Sequence, residues 1–591
     1  MKRTFGWLFV SLFLCASTLF AVVVQKTIPL TSSLYDDVDA LYLLKGLPAA
    51  SRSRPWTVEE AGMIVDRLPP SLTGPESQLL GRILSVLQED PTWDIDGVTS
   101  LSLHLDANLE GYFHTNTTDY TSYLDWKYSY TERQPLLRAR LDVGDENAWY
   151  LAMEAQYGYG LTARESLDPE GTAFHKIVDG DVVGTYNKDD FPNFIGTITP
   201  SSPGTKISLY THMFQTNVIL SPNDWEYTWP KRAVFSFGGT HWNVNVSRDR
   251  LSWGNSHIGN FLYDDHLDFL DYLRFATYSP NFKFEGVYAF FTPYPNQSSD
   301  LPCKKNSTDE NETPSETNGI ETGIRMLLSH RIEFAWWNKV KFTASEGLMY
   351  YNKNGSLNAS YFNPALVLHN LSDRNLFNSI LVVEVDYAFV PKWNLHVEFC
   401  MDQAKSYNEE GNNDEPAAGG LSIGVSYATV HGDWIYSSDM ELVATLPALY
   451  RRDGVDFVIA QRHIRLVTTE KAFYYVYDYL GFPYGGDALA FQWENSWRKN
   501  ALKLGATLFS MLHGPVSMFS DVDTVNAATF LGGDLTWTNV VSFVSTYEWT
   551  NHLTLVSRVD LIGKTTYERT EKAFDGLSCD AQFVESVRYT W

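Results

Sequence analysis

Beyond its first twenty residues the chain has no stretch approaching the roughly 20 consecutive apolar residues that a membrane helix requires, which excludes a helical span. Cysteine is scarce. Past the leader region only Cys303, Cys400 and Cys579 remain, too few and too scattered for a disulfide framework or a zinc site. Positive charge also falls short: 45 Lys and Arg stand against 71 Asp and Glu, and the formal net charge of -26 would repel nucleic-acid phosphates. Such acidity fits bound divalent cations or plain solubility, the second being the commoner cause. A phosphate loop and His-Glu-x-x-His are both missing, no catalytic, cofactor or metal-ligating residues are assigned, and the chain reads as a non-enzyme.

Aromatic residues, by contrast, are abundant. They make up 15% of the 591 residues, with 18 Trp, 34 Tyr and 34 Phe, which suits the two interfacial girdles of a membrane barrel better than a soluble enzyme. The chain opens on Met1-Lys2-Arg3 and an apolar run from Phe5 to Phe20, the pattern of a secretory leader over residues 1–21 with cleavage near Ala21. Leu14 is too bulky for the small residue that precedes a lipidated cysteine, so Cys15 is not read as an anchor.

Residues 22–95 have helical periodicity and are expected to form a small periplasmic helical domain. Leu34, Val38, Leu41 and Leu44 recur at helical spacing before Gly46, Thr57 with Glu60 forms a capping box, and Pro75 opens a third helix. From 96 to 591 the period is two. Leu101, Leu103, Leu105, Ala107 and Leu109 alternate with polar residues, as do Leu381 to Phe389, Trp393 to Met401, Leu489 to Trp493, Trp537 to Tyr547 and Leu553 to Leu561.

Tight turns are expected at 279–281, 337–339, 390–392, 431–433, 498–500 and 549–551, and long polar loops at 158–206, 293–320, 351–377, 403–418, 512–533 and 563–579. Short turns on one side and long loops on the other is the asymmetry of outer-membrane barrels. Phe583, Val587, Tyr589 and Trp591 form a last alternating strand resembling the assembly signal of such barrels. It implies outer-membrane lipid and the barrel-assembly machinery as partners. The fold expected is therefore an all-β transmembrane protein of a bacterial outer membrane: a large antiparallel barrel of about 18 strands preceded by the helical domain. About twenty candidate strands can be counted, the turns near 114–147 conflicting with a consistent up-and-down order. The alternative, a soluble secreted sandwich or propeller, predicts apolar residues facing inward.

At Arg250-Leu251-Ser252-Trp253-Gly254, from His330-Arg331-Ile332 through Glu346-Gly347, at Tyr361-Phe362-Asn363-Pro364 and at Met401-Asp402 the chain resembles the Wzi capsule-assembly family of outer-membrane proteins. That resemblance implies an eighteen-stranded barrel behind a helical domain and a part in attaching capsular polysaccharide to the cell surface. The chain departs from the family at Asn255-Ser256-His257, where a proline-glycine turn is the pattern.

Arg250, Trp253, His257, Trp336 and Trp337 are the candidate ligand-binding residues, since sugars are held by aromatic faces together with charged hydrogen-bonding groups. For a barrel tryptophan a girdle position is the commoner role. Asp264-Asp265-His266 with Asp268 and Asp271, and the pairs Glu333 with Glu346 and Glu398 with Asp402, are weighed as metal or acid-base groups, with ordinary lumenal charge favoured for each. Two functions are carried forward: non-enzymatic binding of surface polysaccharide by a barrel whose lumen is plugged, with Arg250 to His266 folded inside, or a general porin or solute channel.

Overall fold

The computed structural model describes residues 23–88, 93–95, 98–116, 119–120, 134–145, 148–157, 173–178, 181–187, 214–218, 227–291, 323–352, 354–363, 377–403, 416–452, 455–467, 470–518 and 520–591. The leader and the 293–320 loop lie outside these residues, as does most of 158–206 and 403–418.

Eighteen antiparallel strands close into a barrel. The first six are β1 (Thr99–His114), β2 (Leu137–Asp145), β3 (Trp149–Tyr157), β4 (Tyr227–Gly239), β5 (Trp242–Asp249) and β6 (Leu270–Ser279). Then come β7 (Phe282–Phe291), β8 (Ile324–Trp336), β9 (Val340–Asn352), β10 (Phe377–Val390), β11 (Trp393–Gln403) and β12 (Ala418–His431). The circuit ends with β13 (Trp434–Thr445), β14 (Ala488–Lys499), β15 (Leu502–His513), β16 (Leu535–Glu548), β17 (Leu553–Glu568) and β18 (Ala573–Thr590). Closure is made by β18 against β1, from Gln582 opposite His114 to Thr590 opposite Asp106. The even strand number puts the start of β1 and the end of β18 on the same side.

Alternation along each strand decides what the barrel is. Leu109, Phe235, Val246, Phe399, Leu442, Phe543 and Leu561 point outward and are exposed, while Asn243, Arg274, Glu285, Arg331, Glu384 and Asp560 point inward and are buried. A water-soluble sandwich requires the reverse. Apolar atoms on the outside are stable only against lipid, so the polarity of the two faces excludes the soluble alternative.

The expected tight turns all form, at one end of the barrel, and each of the links 240–241, 280–281, 337–339, 391–392, 432–433, 500–501 and 549–552 joins neighbouring strands. One expected loop is wrong. Residues 563–579 run as strand in β17 and β18 with only 569–572 between them. From Ala573 to Leu577 both faces of β18 are exposed, so that section extends into water, where nothing demands alternation.

Three helices precede the barrel: α1 (Leu34–Lys45), α2 (Val58–Val65) and α3 (Gly74–Leu87). Gly46 ends α1 at φ 64, and its N–H donates to Leu43 O. Thr57 caps α2 by accepting from Glu60 N at 3.1 Å, but the expected box is half made, because the Glu60 carboxylate turns to Lys283 at 2.6 Å instead. A full box forms one helix later, between Thr73 and Glu76. The helices sit in the short-turn mouth and share a core with Ala428 and Ile435 of the barrel wall. Lys392 N donates to Leu43 O at 3.0 Å and Lys503 reaches Asp36 at 2.6 Å. The chain before α1 continues along the inner wall, where Gln25 accepts from Asn243 at 2.8 Å.

At the other end residues 354–363 fold back over the outside of the wall. Tyr361 and Phe362 pack on Tyr288, Leu328, Tyr350 and Phe377, and Tyr288 Oη donates to Phe362 O at 2.9 Å.

Phe543→Arg, on the outward face of β16, is expected to cost about 2–4 kcal/mol, the penalty for a cation on the lipid face near the midplane. A folding titration in detergent followed by heat-modifiable gel mobility checks it.

Candidate functional site

Between β5 and β6 the chain does not loop outward; residues 250–269 enter the lumen. Leu251, Trp253, Ile258, Phe261, Leu262, Tyr263 and Leu267 are buried there against inward-facing Val287, Leu327, Met349, Ile380 and Val443. Around this segment the long-loop half of the lumen is apolar, and burying one apolar surface on another is the transfer term that holds any protein core. Leu449, Phe457, Leu480 and Phe482, from the long link between β13 and β14, join the same core.

Towards the middle the lining turns polar, and carboxylates from four strands hold the inserted segment, two by its backbone N–H groups and two by its side chains. Glu441 accepts from His257 N at 2.6 Å and Ile258 N at 3.1 Å, Glu398 from Phe261 N at 3.1 Å, Asp386 from Asn255 Nδ2 at 2.8 Å and Glu285 from Trp253 Nε1 at 2.8 Å. A buried N–H left without an acceptor costs about 1–3 kcal/mol, so these contacts fix the path of the segment. Gly254 stands at φ 137, where a Cβ would run into the Asn260 side chain. That side chain ties the turn together, accepting from Ser256 N at 3.1 Å and donating to Ser252 Oγ at 3.1 Å.

The inserted segment meets the helical unit inside the barrel. Ser53 and Arg54 pair antiparallel with Trp253 and Ser252. From the wall, Arg274 donates to Pro55 O at 2.7 Å, Lys283 to Ser53 O at 3.0 Å and Lys341 to Ala50 O at 2.6 Å. Asp39 of α1 holds both Arg52 and Arg54, at 2.6 and 2.8 Å; burial would raise its carboxyl, but the two guanidiniums bring it down to about 2.

The candidate residues do not converge on one ligand site. Trp253 is 1% exposed, with its indole committed to Glu285 and its ring edge-on to Tyr263 at 4.9 Å. Arg250 begins the insertion, where its N–H donates to Asp249 at 2.9 Å. His257 lies at the inner tip. Its side chain is open to the cavity there; partial loss of water inside the barrel would lower its imidazole, but Asp439 and Glu494, 3.5 and 3.7 Å away, outweigh that and with Glu441 push it up to about 10. Trp336 and Trp337 are 59% and 80% exposed and stacked at a short turn, a girdle arrangement away from the lumen.

The other weighed clusters are structural. Asp264 accepts from Asn260 N and pairs with His266, each at 2.8 Å, Asp268 binds Lys231 at 2.8 Å, and Asp271 binds Arg248 at 2.7 Å. Among the described residues no group of three or more such side chains is arranged to hold a metal. Glu333 and Glu346 cannot act together, for Glu333 faces Arg331 inside while Glu346 lies opposite His330 on the outward side. Asp402 is taken up by Tyr450 N at 2.7 Å.

These features define the class: a closed barrel of the outer-membrane kind whose lumen is occupied by two segments of its own chain. No protein-family model and no curated protein matches the sequence. Among solved structures the chain is similar in fold to Wzi of Escherichia coli, described as an outer-membrane protein involved in group 1 capsule assembly and a carbohydrate-binding β-barrel. The TM-score is 0.53 at 11% identity, covering 95% of this chain and 98% of that one. OpdK of Pseudomonas aeruginosa aligns at TM-score 0.37 and 8% identity, covering 83% of this chain and 99% of that one. The channel DcaP of Acinetobacter baumannii aligns at 0.30 and 10%, covering 85% and 100%. The likeness to Wzi is one of architecture.

Two outcomes follow from this geometry. Glu285→Leu strands Arg274, leaves Lys283 paired with Glu60 alone, and is expected to destabilise the protein by about 3–5 kcal/mol, the usual cost of removing one partner of a buried pair, read from detergent unfolding curves. Because His257 titrates above the free value of 6.5, its contribution is complete below about pH 6.5 and vanishes as pH climbs through about 10. The melting temperature of wild type should therefore exceed that of His257→Gln at pH 7, and the gap should close by pH 11.

Proposed function

We propose that this chain is a non-enzymatic protein of a bacterial outer membrane that binds surface polysaccharide and holds it at the cell surface, as the members of the Wzi family it resembles are implicated in doing. In this reading it is exported by its leader, inserted with the help of the barrel-assembly machinery and surrounded by outer-membrane lipid.

The observation carrying this reading is the occupied lumen. Two inserts enter from opposite ends and pair at Ser53–Arg54 with Ser252–Trp253. Among the described residues, the cavity between the helices, the tip at His257 and the wall at Asp439 and Glu494 measures 140 Å³, room for a few waters and far below the roughly 300–1,000 Å³ of a ligand pocket. A general porin needs a continuous aqueous path, and its lining charges would face water. Here Glu285, Asp386, Glu398 and Glu441 are engaged in holding the insert. The ligand class is supported by likeness of fold to a barrel described as carbohydrate-binding.

Planar-bilayer recording on the purified protein is expected to show no large open-channel steps in wild type, and to show them once residues 251–268 are deleted. Large steps from the wild type would refute the sealed reading. Binding of purified capsular polysaccharide to intact cells displaying the protein, against cells lacking it, tests the ligand. A loss of binding in Trp253→Ala would report collapse of the insert, because that indole touches Glu285 and Tyr263.

A further inference from the structure

The helical unit does not fill the short-turn mouth evenly. Between α3 and the turns at 500–501 and 549–551 lies an open crevice of 600 Å³, within the range of small-molecule pockets. Pro75 and Gln78 form one wall, Asn500, Trp549 and Asn551 the other.

Its chemistry is distinctive. The indole of Trp549 is 64% exposed and lines the crevice, which the stacked Trp336 and Trp337 do not. Among the described residues the side-chain amides of Gln78, Asn500 and Asn551 make no hydrogen bond, and each can donate and accept at once, as sugar hydroxyls require. The charges at the floor are already matched. Arg82 binds Glu548 through two nitrogens at 3.1 and 3.0 Å and Asp37 at 3.2 Å, while Arg498 is paired with Asp37. An anionic ligand would find no spare cation there. The backbone is also committed, with Glu548 N bonded to Ala501 O and Leu553 N to Thr550 O, so no strand edge is offered to an extended peptide.

An exposed indole face, three unengaged amides and a neutral floor match an uncharged saccharide, whose C–H faces stack on aromatic rings. We infer that this crevice is a binding site for a neutral oligosaccharide on the short-turn side of the barrel, the side facing the periplasm. The inference rests on the polysaccharide-binding reading and adds a second place of contact, at the end away from the cell surface.

The full-length protein in detergent should be titrated with maltohexaose, cellohexaose and chitohexaose by calorimetry, with heat-modifiable mobility confirming that each variant is folded. Wild type is expected to bind at least one of the three. Trp549→Ala should weaken that binding by about tenfold, the effect of roughly one stacking contact. Trp549→Phe should retain most of it, Asn551→Ala should weaken it by a few fold, and Trp337→Ala should leave it unchanged. Undiminished binding by Trp549→Ala overturns the crevice while leaving the polysaccharide reading intact. The crevice is likewise overturned, alone, if wild type binds none of the three but cells displaying it still capture capsular polysaccharide. Failure of both measurements overturns the two together.

Discussion

The arrangement turns on one buried carboxylate. Glu285 accepts from Arg274 and Trp253 Nε1, each at 2.8 Å, and from Ser53 Oγ, and lies 3.2 Å from Lys283. Those partners come from the wall, from the segment inserted at one end and from the helical unit inserted at the other. A membrane barrel must put its apolar side chains outside, so its lumenal charges need either water or partners. Here two stretches of the same chain supply the partners. Arg331, held between Glu333 and Glu384, and Lys341, donating to Ala50 O, repeat the principle nearby.

The lumen is thus built in two zones with different adhesives. Its long-loop half contains a conventional hydrophobic core in which Phe261, Leu262 and Tyr263 pack against the wall. Its short-turn half is a polar clasp in which lysine and arginine side chains hold carbonyl oxygens of the helical unit. Burial of apolar area is non-directional, whereas the charge-assisted bonds of the clasp specify register. The first supplies much of the adhesion and the second sets where the helices sit.

The outer surface was the legible part of the sequence, because lipid imposes a period of two that survives along every span. Strand number was harder. Where β17 and β18 rise out of the apolar band, as at Ala573 to Leu577, both faces meet water and the pattern fades. The inward course of residues 250–269 had a signal in Leu251, Trp253, Phe261 and Leu262, apolar but without strand period. Its acceptors did not, since Glu285, Asp386, Glu398 and Glu441 are distant in sequence and look like any lumenal acid. Trp336 carried its own signal, for it shares parity with the outward Phe334. The crevice was invisible, for Gln78 and Trp549 come together only when α3 docks.

Residues 354–363, lying on the outer wall over Tyr288 and Tyr350, break the rotational sameness of the cylinder. Elsewhere on the described wall the barrel presents bare side chains, but along this sector, at its long-loop end, it presents its own peptide, edged with Asn354, Asn358 and Asn363. In the plane of the bilayer the molecule therefore has a front and a back. Whatever drifts up beside it meets a different neighbour according to the direction of approach.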